Sequence, residues 1–441
     1  MTSWSAHPLG LPPRSPEMVA VPGAKRVIEV SAFVAAPLAG MTLAGMGCDV
    51  LRVDPPGGGL DFNRWPVTPT GESIFWAGLN RGKRSVIVDF RRDEGRELVA
   101  GMVTVDGPEG GIFLTNLGAG GALRHDRLCK LRSDVVSVQV EGYPDGRSAV
   151  DYTIAASTGI PMVTGPEGHV GPVNSPLPTW DIATGLNAVI GAHEALRRRE
   201  ATGAGALVRI ALSDVARGIL ASLGFADEGR LAAEPRSRDG NYLYGAFGRD
   251  FLLADGSRVM IVAITLKQWR SLVSALGMAE DVAELERSGR LDLDREGDRF
   301  RSRREIAALI EPWCAARSRP EVAAALDAHG ALWSPYGLAA DFVGSPPTGA
   351  APSGARPDDG LVVRPEAHRG AAAEGGLVHD VGLAYRFDGE ASRPLGTAPT
   401  LGQDTESVLS ELLGLSQHEI GRLHDEGLVE GPALGAGVGN V

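Results

Sequence analysis

The feature that most limits how this chain can fold is a rhythm that starts at Arg26. Short apolar runs rich in Val and Ile alternate with longer stretches of helical character. The runs are Val27-Ile28-Glu29-Val30, Val50-Leu51-Arg52-Val53-Asp54, Val86-Ile87-Val88, Gly111-Ile112-Phe113-Leu114, Val135-Val136-Ser137-Val138 and Leu207-Val208-Arg209-Ile210. Ala32 to Gly47, Glu94 to Met102 and Ile182 to Arg199 read as helices. In the last of these, apolar residues recur at Ile182, Leu186, Val189, Ile190, Ala192 and Leu196, and basic residues close it. Continuous apolar strands separated by helices imply βαβ units, and hence a parallel, Rossmann-like α/β sheet covered on both faces.

The pattern changes after residue 225. Residues 226–240 are polar and read as a linker. Phe251 to Val262 then reads as two strands around an Asp255-Gly256 turn, followed by helices. Ser302-Arg303-Arg304-Glu305 and Ser416-Gln417-His418-Glu419 carry the spacing of a capping box. The expected organisation is a large discontinuous α/β domain over 25–225 and 331–430, with a smaller α+β domain over 226–330. Residues 1–24 and 431–441 read as loose tails, and the Gly/Ala/Pro-rich segment 344–376 as a mobile loop.

Composition narrows the function. Lys+Arg is 43 against Asp+Glu 55, a formal charge of −12, which is the wrong sign for a nucleic-acid binder. The three cysteines, Cys48, Cys129 and Cys314, are odd in number and far apart. They indicate neither a disulfide framework nor a zinc site and fit a reducing, cytoplasmic setting. No apolar run approaches the length of a membrane span. The first strand leads into Ser31-Ala32-Phe33-Val34-Ala35-Ala36-Pro37 rather than a G-x-G-x-x-G turn, and neither a P-loop nor H-E-x-x-H occurs. Dinucleotide and metal chemistry are therefore not expected. The nine histidines are scattered and form no ligand set.

Two aspartates stand out. Asp181, in Pro178-Thr179-Trp180-Asp181, precedes the long helix at Ile182 and has the position of an N-cap. A helix N-terminus also keeps a carboxylate ionised, as a nucleophile requires. Asp151, in Val150-Asp151-Tyr152-Thr153, competes for the role, and spacing does not separate them.

Four segments in one order carry a resemblance. Val27 to Pro37 resembles the first strand and CoA-contacting turn of the class III CoA-transferase (CaiB/BaiF) family. Asn80-Arg81-Gly82-Lys83-Arg84-Ser85 is similar to its Asn-Arg-x-Lys-Arg-Ser motif. Asn116 to Arg124 is similar to its Glu-Asn-Phe-x-Pro-Gly segment, with Thr115 and Leu117 replacing Glu and Phe. Ala398 to Thr405 is similar to its C-terminal signature. Further segments, Gly57 to Pro66, Phe75 to Asn80, Gly240 to Asp250 and Glu296 to Arg301, resemble the branch that moves CoA between the two carboxyl groups of mesaconyl-CoA.

The resemblance implies that Asp181 is the catalytic carboxylate, because it falls on the family's Pro-x-x-Asp segment. Asp151 falls on an aspartate that follows a catalytic His in the racemases of the family. Val150 stands where that His would be, which favours transfer over racemisation. The resemblance further implies CoA contacts at Val34, Ala35, Lys83, Arg84, Asn116, Leu117, Arg124 and Tyr143. Backbone N–H groups at Gly245 and Gly248 are the expected oxyanion donors or flap. Arg64 and Arg249 are candidates for the free substrate carboxylate. It implies no cofactor beyond the CoA of the substrate, an interlocked homodimer, and a place in the 3-hydroxypropionate cycle or a related acetate or propionate route. The alternatives are an intermolecular CoA-transferase and a non-catalytic acyl-CoA-binding protein.

Overall fold

A computed structural model describes residues 25–232, 235–339, 382–388, 390–391 and 395–432. The expected tail at 1–24 and the expected loop at 344–376 lie outside the described residues, as does the expected tail at 431–441 apart from residues 431 and 432. The chain divides into two compact units. The first takes in 25–157, 175–222 and 382–432, and the second 158–174 and 223–339.

In the first unit the elements alternate as the apolar rhythm dictates. They are β1 Arg26–Val30, α1 Ala35–Gly45, β2 Asp49–Asp54, α2 Ile74–Leu79, β3 Arg84–Val88, α3 Asp93–Thr104, β4 Ile112–Thr115, α4 His125–Leu131, β5 Val136–Glu141 and α5 Asp151–Ser157. After α6 (Ile160–Val163), which belongs to the second unit, come α7 Thr179–Thr202, β6 Ala206–Ala211 and α8 Leu212–Ser222. Strands β1 to β6 pair in parallel in the order β3-β2-β1-β4-β5-β6. A two-residue strand, Val429–Glu430, joins antiparallel beside β3. The core runs through Ile28, Val30, Leu51, Val53, Val86, Val88 and Phe113 of the strands. Val99 and Val103 of α3 and Val408, Leu409 and Ile420 of the C-terminal helices cover one face.

Two glycines fix how the helices sit on the sheet. A Cβ on Gly40 of α1 would lie 1.7 Å from the Glu29 carboxylate, so α1 packs directly over a buried acid. A Cβ on Gly185 of α7 would lie 2.6 Å from the Ala35 carbonyl oxygen. Asp181 and Gly185, four residues apart, share a face of α7. The close approach at Gly185 therefore carries Asp181 over the turn between β1 and α1.

The second unit has an antiparallel sheet. Strands Phe247–Leu252 and Arg258–Ala263 pair around the Asp255-Gly256 turn, and Leu332–Pro335 adds the third. Its core includes Phe247, Phe251, Trp269, Ile306, Ile310 and Leu326.

Several local expectations change. Asp181 is not an N-cap: α7 starts two residues earlier, its N-cap position is Pro178, and Asp181 is the third helical residue. Part of the expected linker is a helix, Phe225–Leu231. Ser302 precedes the helix Arg303–Ala315 but makes no capping bond, whereas the Ser416–Glu419 box forms. Thr265–Gln268 and Ser318–Glu321 form two further boxes.

Candidate active site

The C-terminal ends of the parallel strands open onto a cavity of about 830 Å³ that lies wholly in the first unit. Ligands of open α/β sheets bind in this position, where chain connections leave a crevice. Its wall comes from five places: the β1–α1 turn (Phe33, Val34, Ala35), the segment after β2 (Arg64, Trp65, Phe75), the β4 end (Asn116, Leu117), the start of α8 (Leu212), and the stretch from β5 to α7. That last stretch contributes Glu141, Arg147, Asp151, Tyr152, Pro178 and Asp181.

The β1–α1 turn is built under constraint. Phe33 has φ +65°, a left-handed conformation that an aromatic residue adopts only when its surroundings enforce it. Two side chains do so. Asp61 Oδ2 accepts from Phe33 N at 2.9 Å. Asn116 clamps Ala32, accepting from its N–H at 2.9 Å and donating to its carbonyl at 2.7 Å. Asn116 lines the cavity, but its amide is spent on the turn.

Asp61 belongs to a buried charge network behind the wall. The Arg52 guanidinium donates to Asp54 and Asp61 at 3.0 Å each and to Asn80 Oδ1 at 3.1 Å. Lys83 Nζ donates to Glu29 at 2.8 Å, and to Pro37 O and Asn80 Oδ1 at 2.9 Å each. Every member is buried. Burial lowers Lys83 to about 8, partly offset by Glu29, and raises Asp54 above the usual carboxylate range against the pull of Arg52. The expectation that Lys83 meets a phosphate does not fit a wholly buried ammonium that braces the sheet under α1. The Asn-Arg-x-Lys-Arg-Ser motif is structural here at Asn80 and Lys83. The C-terminal signature is structural too: Asp404 accepts from Ser85 N at 2.8 Å and Thr405 Oγ1 from Ile87 N at 3.0 Å.

The opposite wall carries the candidate nucleophile. Asp181 faces the cavity, and no hydrogen bond reaches its carboxylate among the described residues. Burial raises its pKa to about 6, repulsion from Asp151 adds to this, and Arg64 opposes it. Asp151, almost fully buried, accepts from Trp180 N at 2.6 Å and Asp181 N at 3.1 Å. It is thus the cap that α7 lacks in its own sequence. Arg64 sits over the Phe33 and Phe75 rings, 5.5 and 5.2 Å from their centroids, with no carboxylate partner among the described residues. A cation and an unbonded carboxylate thus face one cavity.

Of the site residues expected from sequence, Asp181, Val34, Ala35, Asn116, Leu117 and Arg64 share the cavity wall. Arg84 lies elsewhere, paired with Glu411 at 3.0 Å and near Asp49 and Asp404. Arg124 is exposed and paired with Asp126 at 2.9 Å. Tyr143 lies under the Arg147 guanidinium at 4.3 Å. Arg147, paired with Asp145 at 2.8 Å, reaches the cavity as Arg64 does, and Glu141 on the same wall is held by Arg209 at 2.6 and 2.8 Å. The sequence signal for Arg147 was present: Pro144-Asp145-Gly146 is a turn that presents the next side chain. Gly245, Gly248 and Arg249 belong to the second unit. There Gly245 has φ +82°, Gly248 is a strand residue opposite Val262, and Arg249 pairs with Glu311 at 2.7 Å. Among the described residues no His/Cys/Asp/Glu cluster could hold a metal, and no helix is long and apolar enough to cross a membrane.

The chain is 45% identical over 408 residues to 2-methylfumaryl-CoA isomerase of Chloroflexus aurantiacus, covering 92% of this chain and 97% of that one. It is 26% identical over 414 residues to succinyl-CoA–D-citramalate CoA-transferase of the same organism, covering 90% and 95%. In fold it resembles a CAIB/BAIF family protein from Brucella suis, with a TM-score of 0.68, 24% identity, and coverage of 89% and 100%. Residues 24–405 match the description of CoA-transferase family III, and the chain belongs to that family.

Proposed function

We propose that the protein is a 2-methylfumaryl-CoA isomerase, moving CoA from C1 to C4 of one mesaconate to give 3-methylfumaryl-CoA. The observation that carries this reading is the unbonded Asp181 carboxylate in a cavity that also presents Arg64. The 45% identity to the Chloroflexus aurantiacus enzyme supports the choice of substrate.

An Asp181 oxygen attacks the thioester carbonyl carbon. The C–S bond breaks, CoA leaves as thiolate, and a mixed anhydride joins Asp181 to C1 of mesaconate. The thiolate then attacks the Asp181 acyl carbon, releasing C1 as a carboxylate and leaving an aspartyl-CoA thioester. The C4 carboxylate attacks that thioester and frees the thiolate again. The thiolate takes C4 from the second anhydride, and Asp181 is restored. No proton or co-reactant is consumed. Covalent relay divides one difficult exchange into four acyl transfers. Keeping mesaconate in place replaces a bimolecular encounter with an intramolecular one, worth several kcal/mol, up to about 7–11 in ideal geometry.

Arg64 holds whichever carboxylate is free, so it prefers a diacid and tethers it during the relay. The α1 N-terminus has no side-chain cap and opens onto the same wall, so its first-turn N–H groups supply oxyanion stabilisation. Arg147 meets a CoA phosphate. An interlocked homodimer and a cytoplasmic location complete the reading. Leu186 and Ile190 on α7, 46% and 65% exposed, support the dimer as an apolar face suited to burial.

The test is chromatography of purified protein incubated with mesaconyl-C1-CoA and no added acid. The C4 isomer should accumulate. Heavy incorporation of labelled free mesaconate would instead indicate intermolecular transfer, and no conversion would sink the reading.

A further inference from the structure

We propose that Asp151 is a positioning residue for the nucleophile: it takes the first backbone N–H groups of α7 and thereby keeps the Asp181 carboxylate bare and reactive. The inference rests on the proposed function and deepens it.

The argument begins with the helix end. The first N–H groups of a helix have no intrahelical acceptor and stabilise any carboxylate that reaches them. Asp181, as the third residue of α7, is well placed to be that carboxylate. Such a bond would make it a poorer nucleophile, because a lone pair and much of its charge would be committed. Pro178, at the N-cap position, supplies no side-chain acceptor. Instead Asp151, thirty residues back in sequence and at the start of α5, accepts from Trp180 N at 2.6 Å and from Asp181 N at 3.1 Å through one oxygen, Oδ2. It is almost fully buried, so its charge acts on its neighbour through little water. The end of α7 is satisfied, and Asp181 is left with none of those donors.

The charge has a second effect. Asp151 and Arg64 are the charged groups that act on Asp181, the first raising its pKa and the second lowering it, on top of the larger effect of burial. Glu141 and Arg147 line the same cavity, and Glu141 is neutralised by Arg209. Removing the Asp151 charge should therefore make Asp181 a stronger acid and a weaker nucleophile.

The experiment is the pH profile of kcat/KM for mesaconyl-CoA in the wild type, Asp151→Asn and Asp151→Ser. Intact-protein mass measurement of the CoA adduct runs alongside. Asparagine and serine both keep an oxygen that can accept from the helix end, and both remove the charge. The acid limb should move down by about one pH unit, since a like charge has been taken away, and the rate above the limb should fall. Serine serves the same test should asparagine fail to fold. A limb that stays in place while the rate falls would reduce Asp151 to an ordinary helix cap and overturn the inference alone. A wild type that forms no CoA adduct would take down the functional reading, and this inference with it.

Discussion

The first unit handles charge in two ways a few residues apart. Behind the β1–α1 turn, Glu29, Asp54 and Asp61 are matched by Arg52, Lys83 and Asn80, and nearly every oxygen and nitrogen is bonded. In front of the turn, Asp181 is also largely buried, but its carboxylate has no donor among the described residues and Arg64 faces it unpaired. One arrangement spends its charges on holding a strained turn in place. The other leaves them unbonded, as the proposed relay requires. The lesson is that a buried ion motif and a reactive site can share residue types and differ only in whether their hydrogen bonds are already made.

Asp181→Ala should therefore be the most damaging change to activity. A loss of roughly 10⁴-fold or more in kcat is expected, as for other covalent nucleophiles, with folding intact by circular dichroism. Retained turnover would erase the distinction between the two regions. In the network, Lys83→Met should cost about 3–5 kcal/mol of stability in a denaturant titration, because Glu29 is left buried without its closest cation. A large rise in KM with stability unchanged would instead return Lys83 to the CoA site. Arg64→Gln should lower kcat/KM for mesaconyl-CoA by about 10–100-fold, the loss of one charge-assisted contact. The Asp181 limb should also move to higher pH, because the cation that opposes its protonation is gone.

The unspent carboxylate also has consequences for pH and stability. With its pKa raised to about 6, Asp181 is protonated and inert below that value, so kcat/KM should fall with unit slope as pH drops through about 6. Stability runs the other way. The folded state holds this proton more tightly than the unfolded chain does, so the group destabilises the protein as pH rises from about 4 through 6. Asp181→Asn should accordingly stabilise the protein at pH 8, by about 2 kcal/mol at most given its partial exposure. No gain in denaturant midpoint would mean that the carboxylate finds a donor in solution. The smallest effect expected is a few-fold rise in KM for Arg147→Ala, since an exposed cation meeting a phosphate contributes about 1 kcal/mol or less.

The sheet was legible in the sequence because strands covered on both faces must be apolar almost throughout, and Val50-Leu51 or Val86-Ile87-Val88 leave little else to be. Asp181 was legible as a group at a helix start, though not its place inside the first turn, since the N-terminal boundary depends on which acceptor satisfies the helix end. That acceptor is Asp151, and nothing local reveals a cap supplied from thirty residues away. The inward turn of Lys83 is hidden in the sequence for a related reason. The strand that follows it is evident, but whether a long cation turns inward depends on Glu29 and Pro37, brought near only by the fold. Asn116 lies in a segment that the family resemblance singles out, yet its clamp on Ala32 is tertiary and invisible in the chain.

The most direct test of the central claim is intact-protein and peptide mass spectrometry after mixing the protein with mesaconyl-CoA and quenching it within one turnover. The account predicts CoA attached through a thioester to the peptide that holds Asp181, cleared by hydroxylamine and absent from Asp181→Ala. Isomerisation at full rate with no adduct on that peptide would contradict it.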